Sequence, residues 1–449
     1  MVKRTLILLP ILLVLVSLVV NAQKIWTLDE CIQHAYENNL DIKRQRIQVK
    51  SAEFGFWHAR SQVLPTANAF GNYTYNKGRA PNYDTYQYVD TAFKDGNVGI
   101  ESRLNIFNGL YNYHSMRSNH FNLLSQLENV EHLKDNIAIN IAGAYLQILL
   151  NQELLSIAQD QLEITQQQVA RNEKLVELGT LSRGDLFQIQ AQKATERANV
   201  IKAENTLEIS YLTLAQYMDL ESGELSTFAI IVPELTIDDA VALKSVDNVY
   251  GDALENLAAV KSAEFLLKSQ EKNLSAARGL RYPSISARFL YYTLYSEISV
   301  NPLDPVAPYR WNEQVQDKGY QQLSFSLNIP LFNRLDAQNQ ISRSKVSMLD
   351  AQVVLEQTKQ TLYKAIQQAY ADANAALEDY EAFQEAVRSM EEAFYYAEQR
   401  YNVGILNSVD YNTAKNNLTK AQSDLLQAKY QYIFYAQILD FYGGNSITL

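Results

Sequence analysis

Cysteine is almost missing from this chain of 449 residues: its one copy, Cys31, follows Asp29-Glu30 inside a helical pattern. One thiol excludes an internal disulfide framework, and the acidic helical setting is a poor one for lipid attachment, so Cys31 is expected as a small buried residue. Histidine and methionine are also scarce, at five copies each. The histidines, at 34, 58, 114, 120 and 132, follow no ligand spacing, and no Gly-rich phosphate loop precedes a helix. No catalytic residues, cofactor or metal site are expected, and the chain does not read as an enzyme. Basic residues fall short of acidic ones, 39 against 50. Without Lys3 and Arg4, which belong to a removable leader, the balance is 37 − 50 = −13, which argues against a nucleic-acid partner.

Proline is the most informative scarcity. The nine copies fall at 10, 65, 81, 233, 283, 302, 305, 307 and 330, leaving 82–232 and 331–449 free of them. Long uninterrupted helices are permitted in those two windows and nowhere else of that size. Long apolar runs are equally rare. The run from Thr5 to Val20 follows Lys3-Arg4 and leads into Val20-Asn21-Ala22, so residues 1–22 read as a secretory signal peptide. An N-terminal membrane anchor is the alternative, although the run is shorter than the roughly 20 residues that a spanning helix needs. No later segment is apolar enough to span as a helix.

What the chain does have is repetition. A turn at 178–186, carrying Gly179, Ser182 and Asp185, is matched 225 positions later at 403–411 by Gly404, Asn407 and Asp410. Each turn lies between two long helical patterns, with a glycine to end one helix and Ser or Asn to cap the next, so each reads as the tip of a helical hairpin. Two structural repeats follow, 23–242 and 243–449.

The first holds a helix from Trp26 to Val63, strands at 66–76 and 98–106, a hairpin at 108–218 with its tip near 179–185, and a connector at 221–242 with a short strand or two. The second holds a helix from Val246 to Leu280, strands at 284–295 and 323–331, and a hairpin at 333–442 with its tip near 404–410. The strands show period two: Ala67, Ala69, Gly71, Tyr73 and Tyr75 oppose Asn68, Asn72 and Thr74, and Leu323, Phe325 and Leu327 oppose Ser324 and Ser326. Residues 77–96 and 297–319 read as long loops. The long helical runs approach 70 residues, on the order of 100 Å. In the second, Leu362, Ile366, Ala369, Ala373, Ala376, Tyr380, Phe383, Val387, Met390, Phe394, Ala397 and Tyr401 keep 4-3 spacing, the mark of coiled-coil packing.

Strands of about 9 to 12 residues with one apolar face can cross a bilayer at a tilt of roughly 45°. Four cannot close a barrel, since about eight is the smallest number that does, and an open edge in lipid leaves backbone groups unpaired. The barrel must be shared between chains, and three copies would supply 12 strands. Long connections belong outside the cell, which sends the helices into the periplasm.

These features resemble the TolC family of outer-membrane efflux proteins. The resemblance rests on the tandem repeat, Arg60 to Pro65 and Arg278 to Pro283 before the strands, Phe107-Asn108 and Phe332-Asn333 after them, and Tyr401-Asn402-Val403-Gly404 followed by Asp410. It implies a mixed, mainly α membrane protein, with a long α-helical coiled-coil barrel and four transmembrane β-strands per chain closing as a trimeric 12-stranded β-barrel. It further implies an outer-membrane exit channel reaching into the periplasm as a homotrimer, touching a periplasmic adaptor (membrane fusion) protein and served by an inner-membrane transporter. A periplasmic coiled-coil adaptor or scaffold, and a type I protein secretion outlet of the same family, are the alternatives.

The resemblance places the functional residues at the tips. Asp185 and Asp410 match lumen-facing positions that would form an acidic ring, or else serve as helix-start carboxylates. Tyr401 matches a residue that bonds across to the neighbouring hairpin, or else is a coiled-coil seam residue. Gly179, Leu181, Gly404 and Leu406 are the expected adaptor contacts. Two positions depart from the family pattern: Thr413 stands where the best-known member has a second aspartate, and Leu406 where it has a basic residue. Arg183 is the candidate to supply the missing positive charge.

Overall fold

The computed structural model describes residues 25–82, 86–221, 223, 228–233, 237 and 243–448; the leader at 1–22 and most of the connector at 221–242 lie outside them. Two compact units divide the chain, one comprising residues up to Arg46, Glu128–Lys261 and Thr358 onward, the other Ile47–Leu127 and Ser262–Gln357. Each unit therefore draws on both sequence repeats.

In the first unit, β1 (Ile25–Trp26) leads into α1 (Leu28–Asn38). A capping box starts this helix: Thr27 Oγ1 accepts from Glu30 N at 3.2 Å, and Glu30 Oε2 accepts from Thr27 N at 2.9 Å. Cys31 is buried on its inner face. The helix expected to continue to Val63 instead stops at Asn39, and α2 (Leu40–Ser61) begins anew. Asn39 adopts φ −57° and ψ 129°, and its Oδ1 accepts from Asp41 N at 2.9 Å and Ile42 N at 3.3 Å, so it caps the second helix. Leu40 N is taken by Asp219 Oδ2 at 2.9 Å. The apolar period runs on through this break, which is why the pattern alone overlooks it. The second repeat breaks at the equivalent place, at Leu257, between α5 (Val246–Asn256) and α6 (Ala258–Gly279).

Two long helices, α3 (Tyr111–Glu177) and α8 (Asp336–Asn402), run out to the tips, and α4 (Arg183–Met218) and α9 (Ser408–Tyr442) return from them. A core cluster in this unit joins Val249, Ala253 and Leu257 to Ile366, Ala369, Ala373 and Leu439. The heptad stripe of α8 is therefore buried over its Ala-rich part, whereas Tyr380, Phe383, Val387 and Tyr401 nearer the tip are half-buried. Small residues in the stripe allow a close helix approach. β4 (Ala229–Ile230) pairs parallel with β1, and Tyr145 Oη donates to Ile231 O at 2.6 Å beside it.

In the second unit, a four-stranded antiparallel sheet has the order β2 (Thr66–Asn82), β3 (Gln87–Asn108), β5 (Ser284–Ser296), β6 (Tyr320–Asn328). The first pair is much longer than the 66–76 and 98–106 expected, since most of the loop read at 77–96 belongs to the β2–β3 ladder, which stays in register from Thr66↔Arg103 to Asn82↔Gln87. Apolar alternation ends at Asn76 while backbone pairing, which needs no side-chain pattern, continues. The fourth strand lies three residues earlier than 323–331, because Pro330 can donate no hydrogen bond to a ladder. The other expected loop, 297–319, contains a short helix, α7 (Trp311–Asp317), seated on β5 through Thr293 Oγ1 donating to Val315 O at 3.0 Å.

Register gives the sheet two different faces. One carries cross-strand rows such as Ile100–Tyr291, Phe289–Leu323, Ala287–Phe325 and Ile285–Leu327, and Leu323, Phe325 and Leu327 are each more than 60% exposed. The other carries Arg103, Arg288 and Ser324, with Glu101 Oε1 accepting from Arg288 Nε at 3.0 Å. A bulge between Asn105 and Phe107 returns Phe107 to the apolar face. Both strand exits then turn through left-handed backbone at matching positions, Gly109-Leu110 and Arg334-Leu335. In the helical part of this unit, Ser118 and Ser269 donate reciprocally to each other's carbonyls at 2.9 Å. Among the described residues, no helix is long and apolar enough to cross a membrane.

Candidate functional site

Both hairpin tips, which lie in the first unit, close with the same backbone device. α3 ends as Gly179 takes φ +74°; Gly179 N donates to Val176 O at 3.0 Å and Thr180 N to Leu175 O at 2.9 Å. α8 ends as Gly404 takes φ +75°; Gly404 N donates to Tyr401 O at 3.1 Å and Ile405 N to Arg400 O at 2.9 Å. This double closure uses a left-handed residue, which glycine adopts without the steric penalty of a Cβ.

Three residues on, the return helices are capped in matching fashion. Ser182 Oγ accepts from Asp185 N at 3.2 Å and donates to Asp185 Oδ2 at 2.7 Å. Asn407 Oδ1 accepts from Asp410 N at 2.9 Å, and its Nδ2 donates to Asp410 Oδ2 at 3.0 Å. Asp185 and Asp410 thus stand at the third helical position, where the helix dipole favours a negative charge. Asp410 is exposed and Asp185 half-buried; Arg183 is exposed on the first turn of α4. Leu181 and Leu406 are half-buried, whereas Leu178, Val403 and Ile405, which sequence reasoning did not single out, are 75%, 69% and 69% exposed.

Above the tips, several ties join the two hairpins. Tyr401 stacks on Tyr411 at 4.5 Å between ring centroids, and its hydroxyl accepts from Asn172 Nδ2 at 3.0 Å. Arg171 donates to the Asn402 side chain and, at 2.8 Å, to Asn402 O. Ser408 Oγ donates to Gln188 Oε1 at 2.9 Å. Lys415, 1% exposed, donates to Gln161 O at 2.8 Å, Thr165 Oγ1 at 2.5 Å and Glu196 Oε1 at 3.0 Å, so one ammonium bonds both helices of the first hairpin from within the second. Burial holds the Lys415 ammonium below the usual lysine range, against the opposing pull of Glu196. Burial, then the nearby Glu398, pushes the Tyr411 phenol up. Glu196 Oε2 has no hydrogen-bond partner among the described residues, and the Tyr411 hydroxyl faces the Gln168 side chain.

The sequence signal for Lys415 was its place in an inward stripe with Tyr411 and Leu418, where an ammonium needs a partner. Among the described residues no group of His, Cys, Asp or Glu could hold a metal ion. What the tips offer is surface: exposed apolar side chains on turns closed by glycine, with carboxylates in the first turn of the helix that follows.

Comparison with known proteins is consistent with this architecture. The Brucella suis outer membrane efflux protein BepC is 21% identical over 409 residues, covering 91% of this chain and 83% of that protein. The Escherichia coli outer membrane protein TolC is also 21% identical over 409 residues, covering 89% and 78%. Among solved structures, the Vibrio cholerae outer membrane protein VceC superposes with a TM-score of 0.78 at 16% identity, covering 94% of this chain and 96% of that one. The Campylobacter jejuni CmeC outer membrane channel superposes at 0.76 with 17% identity, covering 94% and 87%. The family model for outer membrane efflux proteins matches residues 31–219 and 249–444, most of the chain, and this protein belongs to that family.

Proposed function

We propose that this outer-membrane efflux channel works as a homotrimer, in which three four-stranded sheets close a 12-stranded barrel and the hairpins form a periplasmic tunnel. One observation carries the reading: the sheet has an exposed apolar face and two edges, β2 and β6, with no neighbouring strand among the described residues. In lipid such edges leave backbone groups unpaired at several kcal/mol each, and pairing β6 of one copy with β2 of the next removes that cost. The polar face with Glu101, Arg103 and Arg288 then lines a water-filled passage.

The periplasmic end is the partner-facing one. Exposed Leu178, Val403 and Ile405 support docking of an adaptor protein around Gly179, Leu181, Gly404 and Leu406. That adaptor links the channel to an inner-membrane transporter, which supplies energy and selects the cargo. Asp185 and Asp410, repeated by the three-fold axis, form an acidic ring that favours cations. Arg183 supplies the positive charge that Leu406 lacks, and Tyr401 holds the second hairpin against the first.

Outer-membrane fractions run unheated on a denaturing gel should show a trimer-sized band that collapses on boiling. A protein recovered as a soluble periplasmic monomer would falsify the channel. In planar bilayers, Asp185→Asn with Asp410→Asn should lower the cation-to-anion permeability ratio, and an unchanged ratio removes the ring.

A further inference from the structure

The β2–β3 ladder continues beyond the stretch that the proposed barrel needs to cross lipid. A strand tilted by about 45° spans the hydrocarbon with 9–11 residues, which Thr66–Asn76 supplies. The hairpin runs on to Asn82 and Gln87 without a register shift. Over this extension the unbroken register keeps successive side chains on opposite faces, so those that follow Ala67, Ala69 and Tyr73 on one face are Tyr75, Lys77 and Arg79. Their partners on β3 are Lys94, Ala92 and Asp90. Register therefore places Lys77, Arg79 and Lys94 on one face, above the apolar band and beyond its tyrosines. Two acidic residues stand beside them, Asp90 across from Arg79 and Glu297 across from Lys94, whose backbone N donates to Glu297 Oε2 at 3.1 Å, so the group keeps a net positive charge. The opposite face carries neutral amides such as Asn72, which donates to Asn97 Oδ1 at 2.9 Å.

The cations are exposed and spaced for a multivalent anion. Lys77 and Lys94 are diagonal neighbours, roughly 7–8 Å apart, and Arg79 follows Lys77 at about 7 Å along the strand. Arg79 is held in place, its guanidinium carbon 5.1 Å from the centroid of the Tyr88 ring. Tyr73, Tyr75 and Tyr88 are each 63% exposed or more. Going up this face, the order is aliphatic and aromatic side chains, then tyrosines, then cations. The outward half of a bilayer whose lipid carries phosphate on its headgroup presents the matching order of hydrocarbon, interface and anion.

We propose that Lys77, Arg79 and Lys94, framed by Tyr73, Tyr75 and Tyr88, form a collar that binds the phosphorylated headgroup of a glycolipid in the outer leaflet. This rests on the channel reading above, since it needs the apolar face to meet lipid. The collar anchors the barrel at a fixed depth, and its binding weakens with salt because exposed charges are screened over about 8–10 Å at physiological ionic strength.

The test uses the full-length protein, purified in detergent and in zwitterionic nanodiscs. A bacterial glycolipid bearing two phosphates on a disaccharide headgroup is titrated in, alongside the same lipid after phosphatase treatment and inorganic phosphate alone. The wild-type chain should retain the phosphorylated lipid at least tenfold more tightly than the dephosphorylated one. Lys77→Gln/Arg79→Gln/Lys94→Gln should lose that preference while still reaching the outer membrane and exporting at the wild-type rate. Equal preference in the triple variant, or full competition by millimolar inorganic phosphate, overturns the collar. Lost preference in the wild type with export intact strikes the collar alone, and absence from the outer membrane overturns both readings.

Discussion

The two hairpin tips share a backbone and differ in nearly everything attached to it. Gly179 and Gly404 have φ angles one degree apart, and each is followed by a cap that bonds an aspartate three residues on. Yet the return helices face different surroundings. On α4, Phe187 is 66% exposed and Arg183 is exposed; at the matching places on α9, Asn412 is 8% and Ser408 3% exposed. Likewise half-buried Leu186 corresponds to Tyr411, 1% exposed, and half-buried Gln190 to Lys415. Duplication preserved what the local turn requires, while packing of one hairpin on the other set the rest. Local hydrogen bonding and tertiary environment are separable layers of constraint here.

That separation can be broken most forcefully at Lys415. Lys415→Met leaves Glu196 buried without its cation and should cost about 3–5 kcal/mol in reversible unfolding of the solubilised protein. Adding Glu196→Leu should recover most of the loss, and Gln190→Met, at the equivalent place in the first hairpin, should stay within about 0.5 kcal/mol. Equal losses at 190 and 415 would erase the asymmetry.

The next effect is at the turns themselves. Proline fixes φ near −65°, against +74° and +75° here, and removes a donor to Val176 O or Tyr401 O. Gly179→Pro and Gly404→Pro should each cost about 3 kcal/mol and abolish export while the protein stays in the outer membrane. Surviving export would dismiss the docking role of that tip. Alanine is milder, because nothing lies within 4 Å of an added Cβ at either glycine.

Smaller still, Ser182→Ala and Asn407→Ala should each cost about 1 kcal/mol, and nearly the same amount, if the caps are truly equivalent. At the fine end, Tyr401→Phe removes a well-formed bond to Asn172 and should cost about 0.5–1.5 kcal/mol, whereas Tyr411→Phe removes a hydroxyl that faces Gln168 without a well-formed bond and should cost less. A double-mutant cycle of Tyr401→Phe with Asn172→Ala checks the first of these.

The sequence was most legible where one residue type dictates local geometry. Gly179, Gly404, Ser182 and Asn407 announce the tips, and period two over 284–295 matches β5 (Ser284–Ser296) to within a residue. It was least legible where backbone structure and side-chain pattern part company. The ladder from Lys77 to Asn82 pairs without apolar alternation, and the Asn39 and Leu257 breaks interrupt helices whose apolar faces continue. At the tips, Asn172, Gln188 and Glu196 drew no notice because polar residues on a long helix read as solvated until another helix is laid against them. Lys415 could have been found, as a charge inside an inward stripe; its partner could not, since no spacing rule links positions 219 residues apart.

The short pairing of β1 with β4 has a consequence in time. Ile25 finds its partner in Ala229, 229 − 25 = 204 positions later. A chain that emerges with its N-terminus first cannot form this bridge until half its length has been delivered, so β1 waits without its strand partner through that interval. Long sequence separation also makes such a contact slow to form, because the entropy of closing the loop is lost before the contact gives anything back. The two residues of β1 therefore act as a late clasp, closed only after the whole first hairpin has been delivered.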